Sequence, residues 1–89
     1  MTYYVIGTSE TGAVIECLPA RELKQALDLV ASVVTHPEED YAANRDVVDF
    51  RWQDACMDAM LHDDLDSAEH HFSIQRHDGL RYGLVEVEP

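Results

Sequence analysis

Histidines and acids alternate in the segment HDDLDSAEHH, residues 62–71, which holds the side chains best suited to ligand chemistry. Imidazole and carboxylate groups are common ligands of transition metals. The imidazoles would come from His62, His70 and His71, with His36 or His77 as further candidates, and the carboxylates from Asp63, Asp64, Asp66 or Glu69. The spacing matches no dedicated site, because it contains neither His-Glu-x-x-His nor the glycine and terminal glutamate of an EF-hand. Metal or small-ligand binding is therefore an alternative hypothesis, and the sequence itself predicts no metal site and no cofactor.

Nucleophiles and bases are not arranged for covalent catalysis. No Ser, Thr or Cys lies in a motif with a neighbouring base. The run GTSETG, residues 7–12, lacks the Lys-Ser/Thr ending of a phosphate-binding loop and is predicted to be a turn. Cys17 and Cys56 stand alone, which predicts two reduced core thiols in a cytoplasmic protein. Close carboxylate pairs arise by chance among eighteen acids, so we predict that the protein is not an enzyme.

The distribution of charge is the strongest functional signal in the sequence. Eighteen acids against six Lys and Arg give a net charge of −12, and eleven of the acids lie between Glu38 and Glu69 with two arginines. Direct binding to nucleic acid or an anionic membrane is disfavoured, because neutralising phosphates needs Lys and Arg. We expect a basic protein partner instead. The predicted contact surface comprises Glu38, Glu39, Asp40, Asp54, Asp58, Asp63, Asp64, Asp66 and Glu69, with Tyr82 as an aromatic anchor.

Such a surface predicts a small cytoplasmic inhibitor or adaptor that binds a basic, nucleic-acid-handling protein, with carboxylates in the positions of phosphates. In size, acidity and α+β pattern the chain resembles phage-encoded inhibitors such as anti-CRISPR proteins and DNA mimics, and bacterial immunity proteins that cap basic nucleases. The resemblance implies no particular site residue. Two other interpretations stay open: an acidic face that only keeps the protein soluble, and a homodimerisation module that uses Leu80, Tyr82 and Leu84.

The first half of the chain predicts a hairpin followed by a helix, within one domain of residues 1–89. Tyr3–Gly7 and Ala13–Leu18 are rich in β-branched and aromatic residues, which is typical of paired strands. Apolar residues then recur at helical spacing from Leu23 to Val34, and Pro19 fits the first turn. The N-terminal MTYYVIG has no basic n-region and too short an apolar run to predict a signal peptide, and we expect no membrane span.

The stretch from Asp46 to Leu61 predicts the central helix, with Asp46 and Asp49 capping its N-terminus. Just before it, Thr35 and Glu38 resemble another capping box, which would open a short helical turn over EEDYAA. The central helix carries two apolar strips that we expect to be buried, and one polar strip that we expect to be in water. The apolar strips are Phe50, Met57 and Leu61, and Val48, Trp52, Ala55 and Ala59; the polar strip is Arg51, Asp54, Asp58 and His62.

Phe72–His77 and Leu80–Val87 predict a second hairpin closed by the two residues Asp78-Gly79. That register pairs Arg76 with Arg81, and it places Phe72, Ile74, Val85 and Val87 on the core face. The complete expectation is an α+β fold in the order β-β-α-α-β-β. Both hairpins join one four-stranded antiparallel sheet, and the two main helices pack on one face of it.

Overall fold

The computed structural model describes residues 2–61 and 68–87. Its strands form a four-stranded antiparallel sheet in the spatial order β2-β1-β4-β3, which confirms the predicted α+β fold. The elements are β1 (Thr2–Thr8), β2 (Val14–Ala20), α1 (Leu23–Val34), α2 (Tyr41–Leu61), a 3₁₀ helix (Ala68–His71), β3 (Ile74–Gln75) and β4 (Arg81–Val87). α1 packs against β1, β2 and β4, while α2 packs mainly on α1 and on the 3₁₀ helix.

The inner face of the sheet, which we define as the face covered by α1, holds the core. In β1 the buried residues are Val5 and Gly7, and Val5 lies opposite Leu18 of β2 and Leu84 of β4. α1 supplies its apolar side, with Ala26, Leu27, Val30 and Ala31 all buried. Spacing of three and four residues aligns these side chains on one side of the helix, as the sequence predicts.

α1 begins at Leu23 rather than near Pro19, because β2 continues to Ala20. Pro19 lies opposite Tyr4 in β2, which is an edge strand of the sheet. An edge strand tolerates proline, since its outward side needs no backbone N–H donor. The prediction that Pro19 starts the helix was therefore wrong.

α2 is longer than predicted and starts at Tyr41, because Asp40 is its capping residue. The Asp40 Oδ1 accepts a hydrogen bond from the backbone N–H of Ala42 at 3.0 Å. The acidic turn EEDYAA therefore runs into the central helix instead of preceding it. Asp46 lies inside the helix, and Asp49 accepts a bond from the Arg45 side chain instead of completing a capping box. Asp40 and Asp46 both precede apolar residues, so the sequence offered two equivalent starting points.

The Thr35/Glu38 capping box is also absent. Thr35 ends α1, and its hydroxyl donates to the Ala31 carbonyl at 2.5 Å. The backbone N–H of His36 instead donates to the Glu39 carboxylate at 2.9 Å. The carboxylate that caps this turn is therefore that of Glu39, one residue after the predicted Glu38.

The C-terminal hairpin has a three-residue loop, His77–Gly79, rather than the predicted two residues. The Arg76 N–H donates to the Leu80 carbonyl at 2.7 Å, and Gly79 has a φ of +93°, which glycine tolerates without strain. The register is therefore Ile74 opposite Tyr82 and Gln75 opposite Arg81. A slip of one residue moves every side chain of a strand to the other face.

The slip inverts the two faces of β4. Tyr82 and Leu84 are buried on the inner face, whereas Val85 and Val87 are exposed. The prediction that Val85 and Val87 belong to the core was wrong. The burial of Tyr82 and Leu84 also leaves them off the exposed surface that the predicted homodimerisation module would use. The predicted opposition of Arg76 and Arg81 is also absent, since Arg81 lies opposite Gln75.

Tyr82 occupies a row of the inner face that also contains Gly7 and Glu16. A Cβ atom on Gly7 would lie 2.8 Å from Cε1 of the Tyr82 ring, so this position accepts only glycine without rearrangement. The Tyr82 hydroxyl donates to Glu16 at 3.1 Å and accepts from Arg76 at 3.2 Å. Arg76 also donates to the Val33 carbonyl of α1 at 3.2 Å, so the network ties the sheet to the helix.

The other side of the sheet, which we call the outer face, carries residues that alternate with the core positions. Tyr4 lies opposite Pro19 and Val85, and Ile6 lies opposite Cys17. Cys17 is exposed and Cys56 is partly exposed, so the prediction of two core thiols was wrong. Within residues 2–61 and 68–87, no helix has both the length and the apolar character needed to cross a membrane.

Candidate functional site

α2 presents an exposed apolar surface on the side that faces away from the core. Its buried residues are Val48 and Ala55. Phe50 is 66% exposed, Met57 is 62% exposed and Leu61 is 76% exposed, so the strip that the sequence placed in the core is in water. Monomeric proteins rarely expose several large apolar side chains together unless the patch binds something.

The exposed residues follow a heptad pattern. Val47, Phe50, Asp54, Met57 and Leu61 are spaced three and four residues apart, as are the seam positions of a coiled coil. We call these five residues the α2 seam. At a rise of about 1.5 Å per residue the seam is about 21 Å long, which is enough to pack along a partner helix for two heptads.

Asp54 is the central residue of the α2 seam, and it is exposed. A single polar residue at a seam position sets the register and the choice of partner in coiled coils. Covering the seam would take the Asp54 carboxylate out of water, which is unfavourable unless a cation lies opposite. Asp46 is exposed on one border of the seam, and Arg51 and Asp58 are exposed on the other, so acids outnumber bases around it.

Contacts below the seam hold α2 in place. The Arg45 guanidinium bonds to Asp28 of α1 at 2.6 Å and to Asp49 at 2.5 Å. Burial by itself would lower the pKa of Arg45, but the hydrogen bonds to the two carboxylates outweigh it and raise that pKa. Trp52 meets the buried Phe72 edge to face, with ring centroids 5.6 Å apart. The seam is therefore displayed on a fixed helix.

The other acids predicted to contact a partner are distributed along this helix. Glu38, Glu39 and Asp40 are exposed in the turn before α2, and Asp54 and Asp58 are exposed within it. Asp40 and Asp58 are eighteen residues apart, or about 27 Å along a helix. The acids thus border the seam over its length instead of forming one compact patch.

Two predicted contact residues do not reach the surface. Tyr82 is 1% exposed, within the network described above, and Glu69 is buried in the 3₁₀ helix that packs on β4. Both corrections follow from packing that the sequence did not show: the register of β4 and the position of the 3₁₀ helix. Asp63, Asp64, Asp66 and His62 lie outside the described residues.

The histidines offer little support for a metal centre. Among the residues the structure describes, no group of three or more His, Cys, Asp or Glu side chains could hold a metal ion. His70 is exposed and His71 is partly buried in the 3₁₀ helix. His36 and His77 meet edge to face at 5.1 Å, and His36 Nδ1 accepts a hydrogen bond from the Glu38 N–H at 3.1 Å.

A cleft of about 450 Å³ lies beside the α2 seam, between α2 and β3. Val47 lines both the cleft and the seam. Its lining combines apolar residues such as Val48 and Ile74 with charged and polar side chains that include Glu39, Arg51, His77 and Arg81. A partner packed along the seam could place a side chain in this cleft, and its mixed charge would favour a polar group.

The turn at the rim of the cleft contains a strong surface ion pair. Arg76 forms two bonds to the Asp78 carboxylate, at 3.0 and 2.8 Å. The bond from Arg76 is the main cause that lowers the pKa of Asp78 to about 2 from 3.8; desolvation opposes it, and the bond from the Leu80 N–H adds to the lowering. His77, between these two residues, lines the cleft, so the pair fixes one wall.

We expect NMR titration of Asp78 to show a midpoint of about 2, and Arg76→Gln to return it toward 3.8. Because the pKa is lower in the folded state, the stabilisation is fully present above 3.8 and is lost as pH falls through 2. A midpoint of Asp78 that is unchanged by Arg76→Gln would contradict the assignment.

Comparison with known proteins identifies no relative. No protein-family model matches the chain. Neither a curated protein nor a solved structure matches it significantly.

Proposed function

We propose that the protein is a small inhibitor or adaptor whose α2 seam binds a basic amphipathic helix on a nucleic-acid-handling protein. The observation that carries the proposal is the exposed heptad pattern, apolar at four positions and acidic at the central one. The acidic character follows from the sequence. Tyr82 and Glu69 are buried and cannot act as contact residues, and the exposed Phe50, Met57 and Leu61 take that place.

Apolar burial would provide the affinity. Covering a large apolar side chain contributes about 1.5–3 kcal/mol, and Phe50, Met57 and Leu61 are all more than half exposed. Part of this energy is offset by the lost freedom of both molecules and of the immobilised side chains. A few well-packed anchors nevertheless dominate the energy of most protein interfaces.

Charge would provide the selectivity. Asp54, once covered, needs a Lys or Arg opposite it, and Asp46 and Asp58 favour further cations at the rim. Helices that contact nucleic acid carry such cations for phosphates, so the protein would compete with nucleic acid for them. A partner groove that binds only phosphates would make no use of Phe50 or Met57. An amphipathic helix has an apolar side that can cover them, so it fits the α2 seam better.

The test uses a partner captured from a bacterial lysate, purified and titrated against the protein by calorimetry. Asp54→Lys should weaken binding by at least about 30-fold, which is about 2 kcal/mol, and the affinity should fall as salt rises. Nucleic acid should compete for the partner. The control is Glu22→Lys, an equal charge change at an exposed site before α1, where the carboxylate makes no capping bond.

Equal weakening by Glu22→Lys and Asp54→Lys would show that net charge alone drives the association. An affinity independent of salt, or unaffected by Phe50→Ala, would also reject the proposal.

A further inference from the structure

The outer face of the sheet is largely apolar, and its strands carry no acid there, in a chain that has eighteen. The nearest carboxylate is that of Glu69 in the 3₁₀ helix, which is buried and lines a pocket with Ile6 and Val85. The strands alternate, so the side chains on this face are known from the register. None of the outward-facing residues in the four strands is Asp or Glu, and Arg81, at one rim, is the charged exception. The apolar members are Tyr4, Ile6, Cys17, Pro19, Val85 and Val87.

This surface is open to water. Val85 is 47% exposed and Val87 is 44% exposed, while Cys17 and Pro19 are exposed on the edge strand β2, on the other side of β1. Both helices pack elsewhere, α1 on the inner face and α2 on α1 and the 3₁₀ helix. A sheet with one apolar face in water is usually covered by a second layer.

The charge pattern indicates what covers it. A basic partner would find no exposed carboxylate on the strands of this face, and Glu69 at its border is buried, so the outer face differs from the α2 seam. Two copies that each carry −12 repel one another except where their acids are kept apart. A face whose strands carry no acid is the region on which they can meet without opposing carboxylates. The α2 seam is unsuited to this, because pairing two seams about their midpoint would bring Asp54 against its counterpart.

We propose that the outer face is a homodimer interface, in which two copies pack sheet against sheet around Tyr4, Ile6 and Val85. A twofold axis pairs the same patch with itself, and sheets stacked in this way lie about 10 Å apart. Each α2 seam stays accessible, because α2 is not part of the outer face. The dimer would therefore present two seams to two basic helices.

Sedimentation equilibrium of the purified chain tests the interface without any partner. The wild type should sediment at twice the 10.1 kDa chain mass. Val85→Asp should raise the dimer dissociation constant by at least about 100-fold, since it places an uncompensated charge in the contact. The matched control is Met57→Asp, the same kind of change on the α2 seam, which should leave the dimer intact.

A second measurement needs no interface variant. In Cys56→Ser the remaining thiol is Cys17, which lies on the outer face. Its alkylation by a maleimide should slow as protein concentration rises, because the dimer covers it. A wild type that sediments as a monomer at roughly 100 µM, a concentration that detects even weak association, overturns the proposal. So does a dimer broken by Met57→Asp but not by Val85→Asp, or alkylation independent of concentration.

Discussion

Replacing Tyr82 with alanine should lower the free energy of unfolding by about 3–5 kcal/mol, the range for truncating a large aromatic side chain in a core. Tyr82 is 1% exposed, and its ring fills the space left by the missing side chain of Gly7. Its removal would also leave Glu16 and Arg76 without the hydroxyl that joins them. Small domains are stable by about 5–15 kcal/mol in total, so the variant would lose a large share.

Urea unfolding followed by far-ultraviolet circular dichroism measures this loss. Tyr82→Phe is the matched control, because it keeps the ring and removes the hydroxyl, and it should lose about 0.5–1.5 kcal/mol. If the two variants lose the same amount, the ring does not pack over Gly7 as the structure shows. Equal stability of Tyr82→Ala and the wild type would contradict the register of β4 itself.

The order of elements could be predicted because each segment has a pattern that only one type of structure satisfies. Val30 and its helical neighbours recur at the helix period, and Val5 lies in a β-branched, aromatic run. The register of β3 and β4 could not be predicted, because Asp78-Gly79 is compatible with two-residue and three-residue hairpin loops alike. Because the loop has one residue more than predicted, Tyr82 and Leu84 lie in the core in place of Val85 and Val87.

The candidate site was half visible in the sequence. Periodicity showed that Phe50, Met57 and Leu61 share a side of the helix, and it does so equally for a buried and for an exposed strip. Whether a strip is covered depends on how many elements surround the helix. Here α1 and the 3₁₀ helix cover the side of Val48 and Ala55, and no further element is described on the other. The sequence did contain one indication that a strip would be exposed. A chain of 89 residues has few elements with which to cover a helix that is apolar on two sides.

The two phenylalanines of the chain should respond oppositely to truncation. Phe72→Ala should lower the free energy of unfolding by about 3–5 kcal/mol, because Phe72 is 4% exposed and packs edge to face on Trp52. Phe50→Ala should change it by less than about 0.5 kcal/mol, because its ring is 66% exposed. Urea unfolding of both variants, followed by Trp52 fluorescence and by far-ultraviolet circular dichroism, measures the difference.

The same pair separates stability from binding. Phe50→Ala should keep the wild-type midpoint and lose most of the affinity for the basic helix, because Phe50 is a seam residue and makes no core contact. Phe72→Ala should lose stability, and it should retain affinity under conditions where it is folded. A large loss of stability in Phe50→Ala would mean that the α2 seam is already covered in solution. The surface that we propose for the basic helix would then be occupied by the protein itself.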